Sequence, residues 1–586
     1  MLNQSFSVER TCTMHKITKK DVIQLLEEIA IYLELKGENP FRISAYRKAA
    51  QSLEKDVRSI HEINDFSKIP SIGKGTNDLI VEYIETGKSA TLQQLQEEVP
   101  SGLIPLLKLP GLGGKRLATL YKELQITDAD TLQKACEDGH VSKLKGFGKK
   151  TVENMLHALE NHQTRPERLP VAYMLKLAKQ IEAYLDEIPH ILRYSLAGSL
   201  RRLRETVKDI DFIIATEQPE RVKDALLEID HIKEVIASGT TKVSVTLADE
   251  YDVNVDFRLV EDKAFPTTLH HFTGSKDHNV AMRQLAKQRG EKINEYGVEV
   301  EATDELLQFS SEEAFFAHFN VGYIPPEMRE NMGEIETFGQ TYEPLKRHMV
   351  RGDLHMHTTW SDGAESIEEM VQYARSLNYE YIAITDHSKF LRVANGLNET
   401  RLRKQREEIA LLNEKYPDIH ILAGVEMDIL PNGELDFSDD FLQEMDLVIA
   451  AIHSSFNQTE AEIMKRLETA LHNPYVDIIA HPTGRLIGRR DGYNVNVERL
   501  IDIAKETNTA LELNANPMRF DLAPHWLELA QDKGVPIAIN TDAHRTTMLE
   551  HMEYGVKVAN KGWIKQDSVV NMWDLQSLLT FIHRNK

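Results

Sequence analysis

Cysteine is almost missing from this chain: two occur among 586 residues, Cys12 and Cys136. Neither has the spacing of a metal knuckle or redox pair, which excludes a disulfide framework and fits a reducing compartment. No run approaches the ~20 apolar residues that a membrane helix needs. The opening MLNQSFSVERTCT has no apolar stretch of the kind a secretion signal carries. A cytoplasmic location is therefore expected. Helical periodicity is also missing from residues 1–16, expected to be a disordered tail. Positive charge is in deficit, with 69 Lys and Arg against 92 Asp and Glu, a net charge of −23. This disfavours a purely electrostatic nucleic-acid binder, although binding depends on local patches and backbone amides rather than on total charge. It predicts modest, salt-sensitive affinity for any nucleic acid. The hydrophobic fraction, 41%, is ordinary for a soluble globular protein, and the length predicts several domains.

What is present is a series of apolar runs in the C-terminal third, nearly all ending in a metal-binding side chain. VRGDLHMH ends in His355 and His357, YIAITDH in Asp386 and His387, and IHILAGVE in Glu426. LVIAAIH ends in His453, VDIIAHP in His481, and IAINTDAH in Asp542 and His544, whereas ALELNAN carries no obvious ligand. Seven such runs, separated by helix-length stretches, read as βα units with a parallel sheet. In a closed βα barrel, residues just past the strands meet on one face. Imidazole and carboxylate together suit Zn, Mn or Fe. Arg485, Arg489 and Arg490 follow His481 in a glycine-containing loop, where they are candidates for holding substrate phosphates.

Residues 17–160 read as helical, with glycine turns in KIPSIGKGTNDLIVEYI, KLPGLGGKRLATLYKEL and KLKGFGKKTVENMLHAL. Gly73, Gly111, Gly113, Gly146 and Gly148 let each turn come close to a partner, and the helix that follows presents free N–H groups to an anion. This is the helix-hairpin-helix pattern, which grips DNA phosphates without reading bases. Lys115, Arg116, Lys149 and Lys150 add positive charge at the helix starts.

Between these regions lies YSLAGSLRRLRETVKDIDFIIAT. Asp209 and Asp211 stand two apart on one strand, so they share a face. In YDVNVDFRLV, Asp252, Asn254 and Asp256 alternate with apolar residues. If the two strands pair, Asp256 joins the first two carboxylates. Three such groups repel unless cations sit between them, and two Mg²⁺ ions would satisfy them and align a triphosphate. The Gly198–Ser199 turn is placed to take the outer phosphates.

The C-terminal pattern resembles the PHP (polymerase and histidinol phosphatase) family over roughly residues 345–586. The resemblance implies a distorted (βα)7 barrel with up to three Mn²⁺ or Zn²⁺ ions that hydrolyses phosphoesters. One ion would take His355, His357, Glu426 and Asp542. A second would share Glu426 with His453 and His481, and a third would take His387, His544 and Asp362. The middle resembles family X DNA polymerases, the DNA polymerase beta class, through G-S-x9-D-x-D, NPFRISAYRKAA, RLP, AGSLRR and FTGSKDHNVAMRQLAKQRGEKINEYG. With a PHP domain following, the architecture is similar to the bacterial and archaeal members. This resemblance implies that Asp209, Asp211 and Asp256 are catalytic, and that Ser199, Arg202 and Arg168 contact the triphosphate. It implies too that Phe272 and Gly274 line the sugar pocket, with Asn279 and Arg283 along the base and template. His271 replaces the family's tyrosine beside Phe272. Leu79 falls where relatives carry a Schiff-base lysine, so lyase activity is not expected.

The expected fold is multidomain: a helix-hairpin-helix N-terminal region, an α+β nucleotidyltransferase palm and thumb, and the PHP barrel. The expected boundaries are 17–100 and 101–165 for two DNA-binding segments, 166–260 for the palm and 261–322 for the thumb. Residues 323–349 are expected as a linker and 350–586 as the barrel. The implied function is short-gap filling in DNA repair with Mg²⁺, plus 3′-5′ exonuclease and abasic-site incision in the barrel. Gapped or nicked DNA and deoxynucleoside triphosphates are the expected partners of a nucleoid-associated monomer. Two alternatives stay open for the barrel: a structural metal scaffold, or a phosphatase of small molecules.

Overall fold

The computed structural model describes residues 19–584, except 56–59, 61–62, 64, 104, 109–111, 145, 149, 153–154, 157–166 and 339–341. The expected tail 1–16, Gly111 and Lys149 therefore lie outside the described residues. Contacts divide the chain into two compact units, residues 1–166 and 167–586. Among the described residues no helix is long and apolar enough to cross a membrane.

The first unit is helical. Lys19–Lys36 forms its longest helix and ends at Gly37, whose φ of +78° suits glycine. Its apolar face, including Leu26, Ile29 and Leu33, packs with Leu53, Leu79, Leu117 and Leu120 into one core. The glycine turns precede helices as expected, with Gly73 before Lys74–Thr86 and Gly113 before Gly114–Leu124. The first and third turns share one closure: Ile72 N–H bonds to the Ile69 carbonyl at 3.1 Å, and Phe147 N–H to that of Leu144 at 3.1 Å.

The second unit begins with a five-stranded sheet. Asp209–Ala215 lies between Arg193–Leu196 and Asp252–Val260, followed by Lys242–Ala248 and Ile232–Ser238. Alternating Val253, Val255, Phe257 and Leu259 bury one face of the Asp252–Val260 strand and leave its carboxylates on the other. The helices Phe265–Thr273 and Lys276–Gln288 then lead into a small three-stranded sheet and the helix Glu312–His318. Residues expected to begin a linker belong instead to this thumb core: Ile324, Met328 and Phe338 are buried with Phe315 and Phe316. Arg329 is fully buried, and its charge is met by Glu312 at 2.6 Å.

The last segment is a parallel seven-stranded barrel whose strand order follows the chain, from Gly352–Asp353 to Ile537–Asn540. A bridge between Met356 and Ala543 brings the seventh run back to the first. Strands buried on both faces explain why the sequence shows continuous apolar runs rather than alternation. Interior residues from the strand starts, such as Tyr381, Leu447, Ile478 and Ala510, pack against the helix Leu575–Ile582, which plugs that end. The opposite end, past the strand termini, is left for the site. Palm and barrel also share one hydrophobic cluster, so they form a continuous body.

Candidate active sites

Strand pairing assembles the palm site. Asp209–Ala215 runs parallel to Asp252–Val260 with Asp211 opposite Asp256 and Asp209 opposite Asn254. The three carboxylates therefore meet on one face. Burial, followed by the charges of Asp209 and Asp256, pushes the Asp211 carboxyl up to about 7. That crowding marks a place built for cations. Lys242, on the neighbouring strand, already supplies one positive charge, with Nζ 2.8 Å from Asp256 Oδ2. Gly198 is required twice over. Its φ is +64°, and a Cβ there would lie 2.2 Å from Asp211 Oδ2.

The helix Gly198–Arg201 starts at this point and carries Ser199, while Arg202 caps its end. Arg202 Nε lies 3.1 Å from Glu330 Oε1, and its guanidinium also donates to the Thr273 carbonyl. Gly274, φ +69°, sits against the same guanidinium, since a Cβ there would be 3.1 Å from Arg202 Nη1. Arg258 lies 4.3 Å above the Phe272 ring. Asn279 donates to the His271 carbonyl at 2.7 Å, and its buried Oδ1 has no partner. Arg283 is exposed. Arg168 is held to Thr206 Oγ1 at 3.1 Å. Sequence reasoning missed the neighbouring buried network in which Glu312 joins Arg201, at 2.7 Å, to Arg329. Burial opposes its ionisation, but the two guanidinium groups hold Glu312 below the usual carboxylate range.

At the barrel mouth the residues from six runs converge on Glu426. His355 Nε2 and His357 Nε2 are each 3.5 Å from Glu426 Oε2, and His387 Nδ1 is 2.8 Å from it. His453 Nε2 and His481 Nε2 approach Oε1 at 3.1 and 3.0 Å. Three clusters have ligand atoms mutually within 4.8 Å: His357, Asp362, His387 and His544; His355, His357 and Asp542; and His387, Glu426 and His453. His355 Nε2, His357 Nε2, His387 Nδ1 and Glu426 Oε2 are buried and make no hydrogen bond. Buried polar atoms are otherwise paired, so these orphans fit a set of cations.

The electrostatics agree. Burial and the adjoining His387 and His544 push His357 down to about 3, which keeps it a neutral ligand. Burial opposes protonation of His453, but Glu426 and Asp428 raise it to about 10. His544 rises to about 9 beside Asp362 and Asp542, again against burial. His481 and Asp542 have φ of +27° and +53°, strained values for residues with a Cβ. Such strain persists where surrounding contacts impose it, and it concentrates at functional sites.

Two outer carboxylates orient the ligands. Glu512 accepts from His355 Nδ1 at 2.7 Å and from the His481 N–H at 2.7 Å, and Asp428 lies 3.2 Å from His453 Nδ1. Glu512 comes from ALELNAN, the run that seemed to carry nothing. Such partners fix the ring tautomer and raise ligand basicity. Asp386, grouped with the ligands by its position at a strand end, does other work. It accepts from Thr358 N–H at 2.8 Å, Thr358 Oγ1 at 2.7 Å and Gln405 Nε2 at 2.6 Å, bracing the turn before Asp362. Of the three loop arginines, Arg485 bonds the Arg519 carbonyl at 2.9 Å and palm Glu205 at 2.8 Å. Arg490 lies 4.1 Å above Phe456, and Arg489 is exposed. The arginine beside the ligands is Arg519, with Nε 3.6 Å from Asp542 Oδ2.

Both pockets are shaped to neutralise phosphate oxygens, and together they define a two-centred phosphoryl-transfer enzyme. Family models match in the same order: "Helix-hairpin-helix domain" at residues 17–89 and "SAM-like Helix-hairpin-helix tandem" at 103–161. "DNA polymerase beta thumb" follows at 268–330 and "PHP domain" at 353–516. The chain is 57% identical over 567 residues to "DNA polymerase/3'-5' exonuclease PolX" of Bacillus subtilis (strain 168), covering 97% of this chain and 100% of that protein. It is 30% identical over 230 residues to a "Probable phosphatase" of Thermoanaerobacter sp. (strain X514), covering 37% of this chain and 89% of that protein. A "Probable phosphatase" of Caldanaerobacter subterraneus subsp. tengcongensis is 30% identical over 203 residues, 33% of this chain and 75% of that protein. The chain belongs to the PolX family of DNA polymerase/3′-5′ exonucleases.

Proposed function

We propose that this chain is a family X DNA polymerase that fills short gaps in DNA and trims 3′ ends with its PHP barrel. The observation that carries the reading is the pairing, in one body, of the Asp209–Asp211–Asp256 face with the Glu426-centred histidine cluster. Full-length likeness to a polymerase/exonuclease supports it.

In the palm, Asp209, Asp211 and Asp256 would hold two Mg²⁺ ions. These ions supply charge neutralisation for in-line phosphoryl transfer. Ser199 and Arg202 hold the triphosphate, Phe272 and Gly274 line the sugar, and Asn279 and Arg283 face the base pair. Arg168, the remaining candidate triphosphate contact, is engaged with Thr206 at 3.1 Å. The glycine turns at Gly73, Gly113, Gly146 and Gly148 grip DNA backbone, helped by Lys115. Leu79 is buried in the core, so the first domain holds DNA without lyase chemistry. In the barrel, the nine residues His355, His357, Asp362, His387, Glu426, His453, His481, Asp542 and His544 would hold up to three Mn²⁺ or Zn²⁺ ions. Such ions supply an activated water for phosphodiester hydrolysis, at 3′ ends and at abasic sites. Arg519 takes the phosphate-holding role expected of Arg485. The enzyme works as a monomer on nucleoid DNA in the cytoplasm.

A labelled primer in a gapped duplex with Mn²⁺ tests both activities. Extension with deoxynucleotides and shortening without them is expected, with shortening lost in the double variant His355→Ala, Asp542→Ala. Shortening retained in that variant removes the barrel as the nuclease. The names of the shorter relatives favour a second reading, a barrel acting on small phosphomonoesters. Faster turnover of such esters than of DNA would select it.

A further inference from the structure

We infer that Lys561, on the barrel, is a positioning residue for the polymerase's nucleotide, fixing from outside the palm the turn that carries Arg202. The inference rests on the assignment of Ser199 and Arg202 to the triphosphate. Lys561 is the last residue of the barrel helix Met552–Lys561. Its Nζ donates to the carbonyls of Arg202, at 3.0 Å, and Leu203, at 3.2 Å. Those carbonyls lie just past the short helix Gly198–Arg201, on its C-cap residue and the residue after it.

Three observations give the contact more weight than an incidental domain bridge. Carbonyls at a helix end lack intrahelical partners, and a cation there is favoured by the helix dipole. Leu203 has φ +48°, a left-handed conformation costly for a side chain with a Cβ and stable only where surroundings enforce it. The Lys561 ammonium, bridging the carbonyls before and after the Leu203 Cα, helps hold that conformation together with the Leu203 N–H bond to the Leu200 carbonyl at 2.9 Å. The preceding residue, Asn560, meanwhile donates to thumb Glu327 at 3.0 Å and to the Leu345 carbonyl at 3.2 Å. Consecutive residues of one barrel helix thus contact the palm and the thumb. On its other flank the Arg202 guanidinium is held by Glu330 and the Thr273 carbonyl. Arg202 is therefore fixed at its backbone by the barrel and at its side chain by the thumb.

The test is a double-mutant cycle in the full-length protein on a single-nucleotide gap, reading KM and kcat for the deoxynucleoside triphosphate. Losing a charged hydrogen-bond donor in Lys561→Met is expected to raise KM about tenfold, with kcat changed less than about twofold. Primer shortening in Mn²⁺ should be unchanged, which controls for folding. In an Arg202→Ala background the Lys561→Met effect should largely vanish, because the two act through one turn. An unchanged KM, or an equal factor in both backgrounds, overturns the inference. Should Arg202→Ala itself leave KM unmoved, the triphosphate assignment has failed and the inference falls with it. If the methionine variant loses both activities through misfolding, Lys561→Gln carries the test. It keeps an N–H donor without the charge: a KM raised about threefold supports the inference, and an unchanged KM overturns it.

Discussion

In the palm, three carboxylates come from two adjacent strands, and no nitrogen donor joins them. In the barrel, histidines and carboxylates come from six runs, and six of the nine candidate ligands are buried, Asp362, His453 and His544 being the more open ones. Oxygen-only donors suit Mg²⁺, which keeps part of its water and is completed by substrate phosphates. Imidazole-rich, closed donor sets suit resident transition ions. Lys242 sharpens the contrast, because a lysine 2.8 Å from Asp256 partly balances the palm when no nucleotide is present. In the barrel, Arg519, 3.6 Å from Asp542, and the histidines raised by their acidic neighbours play that part. On the proposed reading, one pocket would gain cations with its substrate and the other would keep them.

The largest effect should come from breaking each pocket separately. Asp256→Ala should cut extension by about 10³-fold, roughly 4 kcal/mol, and leave shortening intact. His357→Ala with Asp542→Ala should do the reverse on the same labelled primer. Any variant that abolishes both activities while still folded would merge the two pockets into one. Next, Glu512→Gln should lower barrel activity and metal affinity about 10–100-fold, because the His355 tautomer loses its orienter, while extension rates stay at wild type. Metal analysis of the purified variant alongside the rate checks this. Chelation should then separate resident from transient ions. After a chelator is removed, Mg²⁺ alone should restore extension but not shortening, and the melting temperature of the stripped protein should be about 5 °C lower. Equal recovery of both activities would erase the distinction.

The smallest expected difference is in proton release. Protons compete with cations at both centres, so affinity rises with pH until the competing groups are ionised or neutral. At pH 8, His453 near 10, His544 near 9 and His355, held well above the usual range by Glu512, Glu426 and Asp542 despite its burial, all carry protons, so loading the barrel should release about three. Asp211, near 7, is then mostly ionised, so the palm should release only about 0.1. Calorimetry in two buffers of different ionisation heat measures these numbers. Equal release would mean that the two donor sets behave alike.

The sequence made the palm triad legible because period-two alternation assigns Asp209, Asp211 and Asp256 to one face, and parallel pairing then aligns Asp211 with Asp256. It made the barrel ligands legible because buried strands leave their polar residues at the ends. The same rule failed at Glu512, which sits inside its strand, and at Asp386, a strand-end acid consumed by turn amides and hydroxyls. Local patterns also mislead for arginine, whose reach exceeds its neighbourhood: Arg485 bonds Glu205, far earlier in the chain, and Arg329 is buried against Glu312 rather than lying in a linker. Lys561 could not be read at all, since its partners are carbonyls, and every residue has one.

The bridge between Met356 and Ala543 closes the barrel with its seventh run, and Asp542 and His544 arrive with that run. Synthesis proceeds from the N-terminus, so the palm carboxylates emerge long before the degradative centre can exist. A chain cut short before residue 537 lacks two of the nine candidate ligands as well as the strand Ile537–Asn540 that leads to them. Premature termination therefore yields no free-standing nuclease from this gene product. The barrel's candidate centre is completed only after the palm has been made.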